Sequence, residues 1–358
     1  MSTNSAEQFA ETARRNLPPQ LDDTVQLEEL LSLPTPPALA AIAKLDSDLV
    51  LLGVGGKMGP TLARMAARAI AQLDLPYQVY GVARFSQPES RAALEAAGVQ
   101  TIACDLLNRA ALADLPDTRN VIFMAGQKFG TTGAQHMTWG TNTYLPALVA
   151  ERYLDARTVV FSTGNVYPLL PVVNGGACED DEPAPVGEYA ASCLGRERIF
   201  EYFSRTHGLP CAIMRLNYAV ELRYGVLVDV ARKVFAGQPV DVSMGAVNVI
   251  WQGDANAQAL ALLDHCATPP FICNITGPET VSIRWVAEQF AARFGVQAQI
   301  VGSEAPTALL SNAARAQRLF GYPSIALEQM LEWIAHWVSR GGPLLNKPTH
   351  FETRDGKF

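Results

Sequence analysis

A glycine-rich turn placed between an apolar run and a helical pattern constrains this chain more than any other feature. Leu49-Val50-Leu51-Leu52 leads into Gly53-Val54-Gly55-Gly56-Lys57-Met58-Gly59, and an Ala-rich stretch with helical spacing follows. The glycines spell GxxGxxG, and Gly55 adds a GxG. A turn of this kind lets the backbone approach a pyrophosphate. The free N–H groups of the helix behind it supply partial positive charge for that anion. Gly53, Gly55, Gly56, Lys57, Met58 and Gly59 are therefore candidate cofactor-binding residues. The plainer alternative is a glycine turn that serves only close packing of strand on helix.

Downstream the pattern repeats. QVYGVAR, VQTIACDL, NVIFMAGQ, TVVFSTGN, PCAIMRLNY and FICNIT are short apolar runs of strand type. Helical stretches lie between them, among them PESRAALEAAG, closed by Gly98, and Gly187–His207. Apolar strands alternating with helices imply right-handed βαβ units and a parallel sheet covered on both faces. The expected fold is α/β: a doubly wound parallel sheet (Rossmann) with a smaller C-terminal substrate lobe. A dinucleotide-binding domain is expected over 49–220, with the chain returning to it at about 241–274. The lobe and tail take 221–240 and 275–358, with helices over 281–294 and 327–339. Residues 1–48, punctuated by Pro18, Pro19, Pro34, Pro36 and Pro37, read as an N-terminal arm packed on the main body, with a short helix over Ser5–Arg15. A dimerisation arm or lid is the alternative. The polar tail PLLNKPTHFETRDGKF is expected on the surface.

Composition narrows the partners. Of 358 residues, 49% are apolar and 18% charged, which suits a globular chain with a large core. The net charge of −7 and the lack of a basic run argue against nucleic acid. No apolar stretch approaches the roughly 18 residues of a membrane span, and the N-terminus lacks a secretory pattern. The six cysteines (104, 178, 193, 211, 266, 273) form no CxxC pair and the five histidines show no metal spacing. The expectation is a cytoplasmic protein without a metal site; a homodimer stays open.

The end of the second strand discriminates between nicotinamide cofactors. An acidic residue there would bind the adenine ribose hydroxyls. The sequence instead reads Val82-Ala83-Arg84-Phe85-Ser86. The forked donors of Arg84 suit a 2′-phosphate. The cofactor reading is NADP or NAD, with NADP favoured; a solvated Arg84 is the alternative.

Several further motifs follow in order. Gly53, Gly56 and Gly59 form the GxxGxxG; Cys104-Asp105-Leu106 resembles a "GDL"; Phe123-Met124-Ala125-Gly126-Gln127-Lys128 resembles "hFAGLK". Asn142 lies in TWGTNTYLPAL, Phe161–Tyr167 resembles "SSSxxVYG", and Tyr189-Ala190-Ala191-Ser192 begins a "YxxSK". Over about Leu49 to Val338 the chain resembles an extended short-chain dehydrogenase/reductase of the NAD-dependent epimerase/dehydratase family. The resemblance adds Asp105, Leu106, Ala125, Gly126, Lys128, Asn142 and Tyr189 to the cofactor-binding candidates, and implies that Thr163 and Asn217 contact substrate.

That family acts with a Ser or Thr, a Tyr and a Lys. The resemblance places them at Thr163, Tyr189 and position 193, one helical turn beyond the Tyr. Position 193 is Cys. A free Tyr has a pKa of about 10, and a neutral thiol brings no cation to lower it. Cys193 reads as a small buried helix residue. Lys128, just after the fourth strand, is the candidate substitute, or else a solvated loop lysine. Arg215 could be a buried structural charge, and His136 could approach the site. Two functions stay open. One is an NAD(P)-dependent oxidoreductase or epimerase working by hydride transfer on a hydroxyl or carbonyl of a sugar-like or sugar-nucleotide substrate, with Tyr189 as acid/base and Thr163 and Lys128 beside it. The alternative is a non-catalytic NAD(P)-binding sensor or scaffold, which Cys193 favours.

Overall fold

The computed structural model describes residues 17–128, 133–347 and 349–356. The helix expected over Ser5–Arg15 lies outside them. Seven strands form one parallel sheet: β1 (Leu49–Leu52), β2 (Val79–Ala83), β3 (Gln100–Ala103), β4 (Asn120–Phe123), β5 (Arg157–Thr163), β6 (Cys211–Leu216) and β7 (Phe271–Ile275). Their spatial order is β7-β6-β5-β4-β1-β2-β3. The order reverses between β1 and β4, which pair from Leu49↔Asn120 to Leu52↔Phe123. A crevice for ligands opens outside the carboxyl ends of strands at such a switch point.

The period-2 geometry of β1 feeds two cores. Leu49 and Leu51 face one layer with Leu62, Ala66 and Ile70 of helix α3 (Gly59–Gln72). Val50 and Leu52 face the other, with Leu145 and Leu148 of helix α7 (Leu145–Arg152) and Phe200 of helix α8 (Gly187–His207). Ahead of the sheet, helix α1 (Thr24–Leu31) buries Leu27 and Leu31 in a third core, whereas α2 (Pro36–Ile42) joins the sheet layer through Ala38 and Ile42. That third core unites helices α9 (Val226–Phe235), α11 (Ile283–Phe294) and α13 (Leu327–Ser339). Between these lobe helices the chain returns to the sheet as β7, parallel to β6.

The tail differs from its sequence expectation. Thr349 and Phe351 are each only 2% exposed. Thr349 donates its N–H and its hydroxyl to Asp229 on α9, at 2.8 and 2.7 Å. Phe351 enters the lobe core, and the Arg354 guanidinium donates to Thr307 O at 2.8 Å. One aromatic side chain and a few well-placed donors anchor a segment whose average composition is polar. Among the described residues, no helix is long and apolar enough to cross a membrane.

Candidate active site

The glycine turn divides into packing glycines and an open one. Gly53 has φ +97°, and a Cβ there would lie 2.5 Å from Ala125 N. A Cβ on Gly59 would lie 2.1 Å from Val54 O. These two let β1, the β4 end and α3 close on one another. A Cβ on Gly56 would meet only Gly53 O at 3.7 Å, so the space over this backbone is open. Gly55 is also exposed. Bare backbone beside the N-terminus of a 14-residue helix fits the pyrophosphate of a dinucleotide. Met58 caps α3 and packs against the sheet core.

Lys57 projects from the turn with its ammonium 3.1 Å from the ring centroid of Tyr224. Burial lowers its pKa to about 7, and the charges of Lys128 and Lys347 push the same way against Asp229 and Glu221. Arg84 is exposed at the end of β2. Asp105 is exposed and accepts the Leu107 N–H at 3.1 Å, whereas the Leu106 side chain is buried in the core. The adenine side of the cleft is thus offered the Asp105 carboxylate and main chain, not the Leu106 side chain.

Asn142 sits in a π-helical turn, Gly140–Tyr144, and has no exposed surface. Its Oδ1 accepts from Gln127 N at 2.8 Å and Arg196 Nη2 at 3.0 Å; its Nδ2 donates to Gln127 O and Ser192 Oγ. With both ends of the amide engaged inside the protein, Asn142 holds the loop after β4 and does not reach a cofactor. The loop includes Ala125 and the exposed Gly126.

Thr163 ends β5, Tyr189 lies in the first turn of α8, and Cys193 follows one turn later. Thr163 and Cys193 both act on the Tyr189 phenol, the first lowering and the second raising its pKa, and Tyr189 packs in one cluster with Cys193. Burial holds the phenol well above its ordinary range; negative charge on Cys193 would raise it further, and Arg196 opposes both. Burial likewise raises the Cys193 thiol. Lys128 Nζ lies 5.9 Å from the Tyr189 ring centroid and reaches Thr349 O at 3.5 Å. Burial lowers its pKa to about 8, while Cys193 and Asp229 favour its charge. The structure therefore brings Thr163, Tyr189, Cys193 and Lys128 together. Asn217 is buried against Gly164, and its Nδ2 has no hydrogen-bond partner among the described residues. His136 is exposed. No group of three or more His, Cys, Asp or Glu residues among the described ones could hold a metal.

Sequence reasoning missed four residues here: Arg196, Tyr224, Asp229 and Thr349. Arg196 had a usable signal, since it stands seven residues beyond Tyr189 and three beyond Cys193 on one helix face. The other three come from the lobe and tail, where no motif marks them. Arg215 is indeed a buried charge, paired with Glu197 at 2.7 Å and donating to the Tyr167 hydroxyl at 2.6 Å.

No curated protein matches the sequence. Among solved structures, the chain is similar to UDP-glucuronic acid 4-epimerase from Bacillus cereus, at TM-score 0.68 and 18% identity over 82% of this chain and 99% of that one. It is also similar to MoeE5 in complex with UDP-glucose and NAD, at TM-score 0.65 and 20% identity over 82% and 99%. UDP-glucose 4-epimerase from Thermotoga maritima gives TM-score 0.65 and 15% identity over the same shares, 82% and 99%. At these identities the likeness is one of fold. The model of the NAD-dependent epimerase/dehydratase family matches residues 49–236, more than half of the chain, from β1 through the glycine turn and the Tyr189 helix to α9. The chain belongs to the NAD-dependent epimerase/dehydratase family, a family of NAD-dependent enzymes.

Proposed function

We propose that this protein oxidises and re-reduces, or epimerises, a hydroxyl-bearing carbon of a sugar nucleotide, with Tyr189 as the acid/base. The observation that carries the reading is that Tyr189 lies in the first turn of α8, one turn ahead of Cys193, with Lys128 Nζ 5.9 Å from its ring and Thr163 at the carboxyl end of β5 acting on its phenol. The solved neighbours with UDP-glucose and UDP-glucuronic acid support the substrate class. When bound, the nicotinamide supplies hydride exchange. Tyr189 keeps its proton at rest and so starts as a general acid toward a carbonyl oxygen; toward an alcohol it must first ionise. Thr163 orients the substrate oxygen, and the Asn217 amide nitrogen is a donor for a substrate oxygen. Gly53 to Gly59 cradle the pyrophosphate, with Lys57 beside it.

For cofactor choice, Arg84 supports NADP, whereas the neighbours carry NAD. Calorimetric titration of both separates them: tighter NADP binding that is lost in Arg84→Ala supports the first, and NAD preference in both proteins excludes it. The exposed Met137, Trp139 and Tyr144 support a homodimer, which sedimentation tests. The function itself is tested with UDP-glucose and UDP-glucuronic acid in the presence of NAD. Tyr189→Phe should lose at least about 100-fold in turnover, the usual worth of a positioned proton donor. Equal turnover by this variant would exclude Tyr189 as the acid/base. A wild type that binds dinucleotide tightly yet turns over neither sugar would return the reading to a binding protein.

A further inference from the structure

Cys193 leaves the site without the ammonium that the family places one turn beyond the tyrosine, but α8 carries another cation on the same face. Arg196 is 5% exposed. Its Nη1 donates to Phe161 O at 2.6 Å, its Nη2 to Asn142 Oδ1 at 3.0 Å and its Nε to Asn142 O at 3.4 Å. These acceptors are neutral, whereas the neighbouring Glu197 is engaged by Arg215. Room for the guanidinium depends on Gly126, where a Cβ would lie 2.7 Å from Nη2. From the same Asn142 amide, Nδ2 lies 4.0 Å from Cys193 Sγ, and Cys193 stands one helical turn beyond Tyr189, whose side chain packs against the same cluster. One line of neighbouring side chains thus runs Arg196–Asn142–Cys193–Tyr189.

We propose that Arg196 is the positioning cation of this site, acting through Asn142 and Cys193 on Tyr189 in place of a lysine at position 193. The inference rests on Tyr189 being the acid/base. A guanidinium keeps its charge even when buried, and its field reaches further in a low-dielectric interior than in water. Arg196 is also the first cation among the influences on the phenol, after burial and Cys193, and it lowers the pKa of both Tyr189 and the Cys193 thiol. Other groups facing this pair are Thr163 from β5, Lys128 from the loop after β4 with Asp229 behind it, and Glu197 from α8 itself. A thiol fits the arrangement because it is small enough to leave Asn142 in contact and can donate S–H to a phenolate.

A brace that merely ties α8 to β5 would explain the contacts to Phe161 and Asn142 equally well, so the test must read charge. The phenol is followed by NMR of protein labelled with 13C at tyrosine Cζ, with Tyr189→Phe assigning the signal. Titrations are run on the protein alone and with saturating NAD, and neither requires a substrate. In Arg196→Met the Tyr189 midpoint should rise by about one pH unit or more, or leave the accessible range. In Arg196→Lys, which keeps the charge, at least half of that rise should be recovered. Asn142→Leu keeps Arg196 but cuts the line and should move the midpoint in the same direction. The same midpoint in wild type and Arg196→Met would overturn the proposal, as would a wild-type phenol that fails to ionise below about pH 11 in both titrations. If Arg196→Met does not fold, Arg196→Lys and Asn142→Leu decide alone: a clearly smaller rise in the first than in the second supports the relay, and any other pair of results overturns it. Loss of sugar turnover with this titration behaviour intact would sink the proposed function and leave the relay standing.

Discussion

Lys57 shows how a single buried cation burdens the fold. Its ordinary pKa is 10.5, and burial brings it to about 7 in the folded protein. Below pH 7 both folded and unfolded chains hold the proton, and the folded chain bears the full cost of the buried charge. Between about 7 and 10.5 the unfolded chain binds more protons, so stability rises with pH across that window. Lys57→Met should therefore raise the melting temperature by roughly 1–2 °C at pH 6, the response to about 1 kcal/mol in a chain of this length. The gain should shrink as pH rises through the window. NAD affinity should fall about tenfold, the worth of one charge-assisted hydrogen bond. Calorimetry at pH 6 and 9.5, with and without NAD, reads both. A destabilised variant with unaltered affinity would mean that Lys57 serves the Tyr224 contact and nothing else. The glycines around it separate just as clearly: Gly56→Val should block NAD binding with the fold retained, because only ligand space lies over it, whereas Gly59→Ala should damage the fold, because its Cβ would strike Val54 O.

At the scale of elements, α8 is the member that joins structure to chemistry. Tyr189 stands at its start, Cys193 and Arg196 are buried against Asn142 of the π-helical turn, and Glu197 meets Arg215 of β6 inside the core. Both partners of that last pair are 2% exposed. Removing one would leave the other buried without a counter-charge, at a cost of about 3–5 kcal/mol. Glu197→Ala should therefore lose that much in urea unfolding, and Arg215→Met/Glu197→Leu together should recover much of it. If the single variant loses under about 1 kcal/mol, water reaches Arg215 and the pair is not the anchor of α8. The helix was legible from sequence because its apolar spacing and its Tyr motif coincide over Gly187–His207. The sheet was legible because each strand is an apolar run between helices. Arg196 offered only its helical spacing from Tyr189, because a lone arginine on a helix looks like a solvated residue until Gly126 and Asn142 close around it. Lys128 was placed correctly at the strand end, but the tail carbonyl it meets lies more than two hundred residues away in sequence and no local pattern announces it.

At the scale of the whole molecule, the tail spans the crevice that the sheet and the lobe create. Thr349 is bound to Asp229 of the lobe and accepts from Lys128 at the end of β4. Glu352 pairs with Lys233 at 3.2 Å, and Arg354 is tied to Thr307. Gly356 lies against the start of α8, where a Cβ would come within 2.2 Å of Val186 O. Under this strap, the cavity bordered by Asn165, Tyr167, Tyr218, Val186 and Arg354 measures about 30 Å³. If a sugar nucleotide enters this cleft only when the strap moves, its measured affinity is the intrinsic one reduced by the fraction of molecules with the strap displaced. Arg354→Ala removes the contacts to Thr307 while leaving Phe351 in the core. If the strap must leave, this variant should bind UDP-glucose more tightly, by up to about tenfold if the lost contacts held the closed state by about 1.4 kcal/mol. NAD affinity should change little, since the Arg354 guanidinium contacts Ser243, Met244 and Thr307, none of them in the glycine turn. Isothermal titration of both ligands reads the two sites separately. Weaker UDP-glucose binding in Arg354→Ala would show the opposite arrangement, a strap that belongs to the substrate site and supplies Arg354 to the ligand itself.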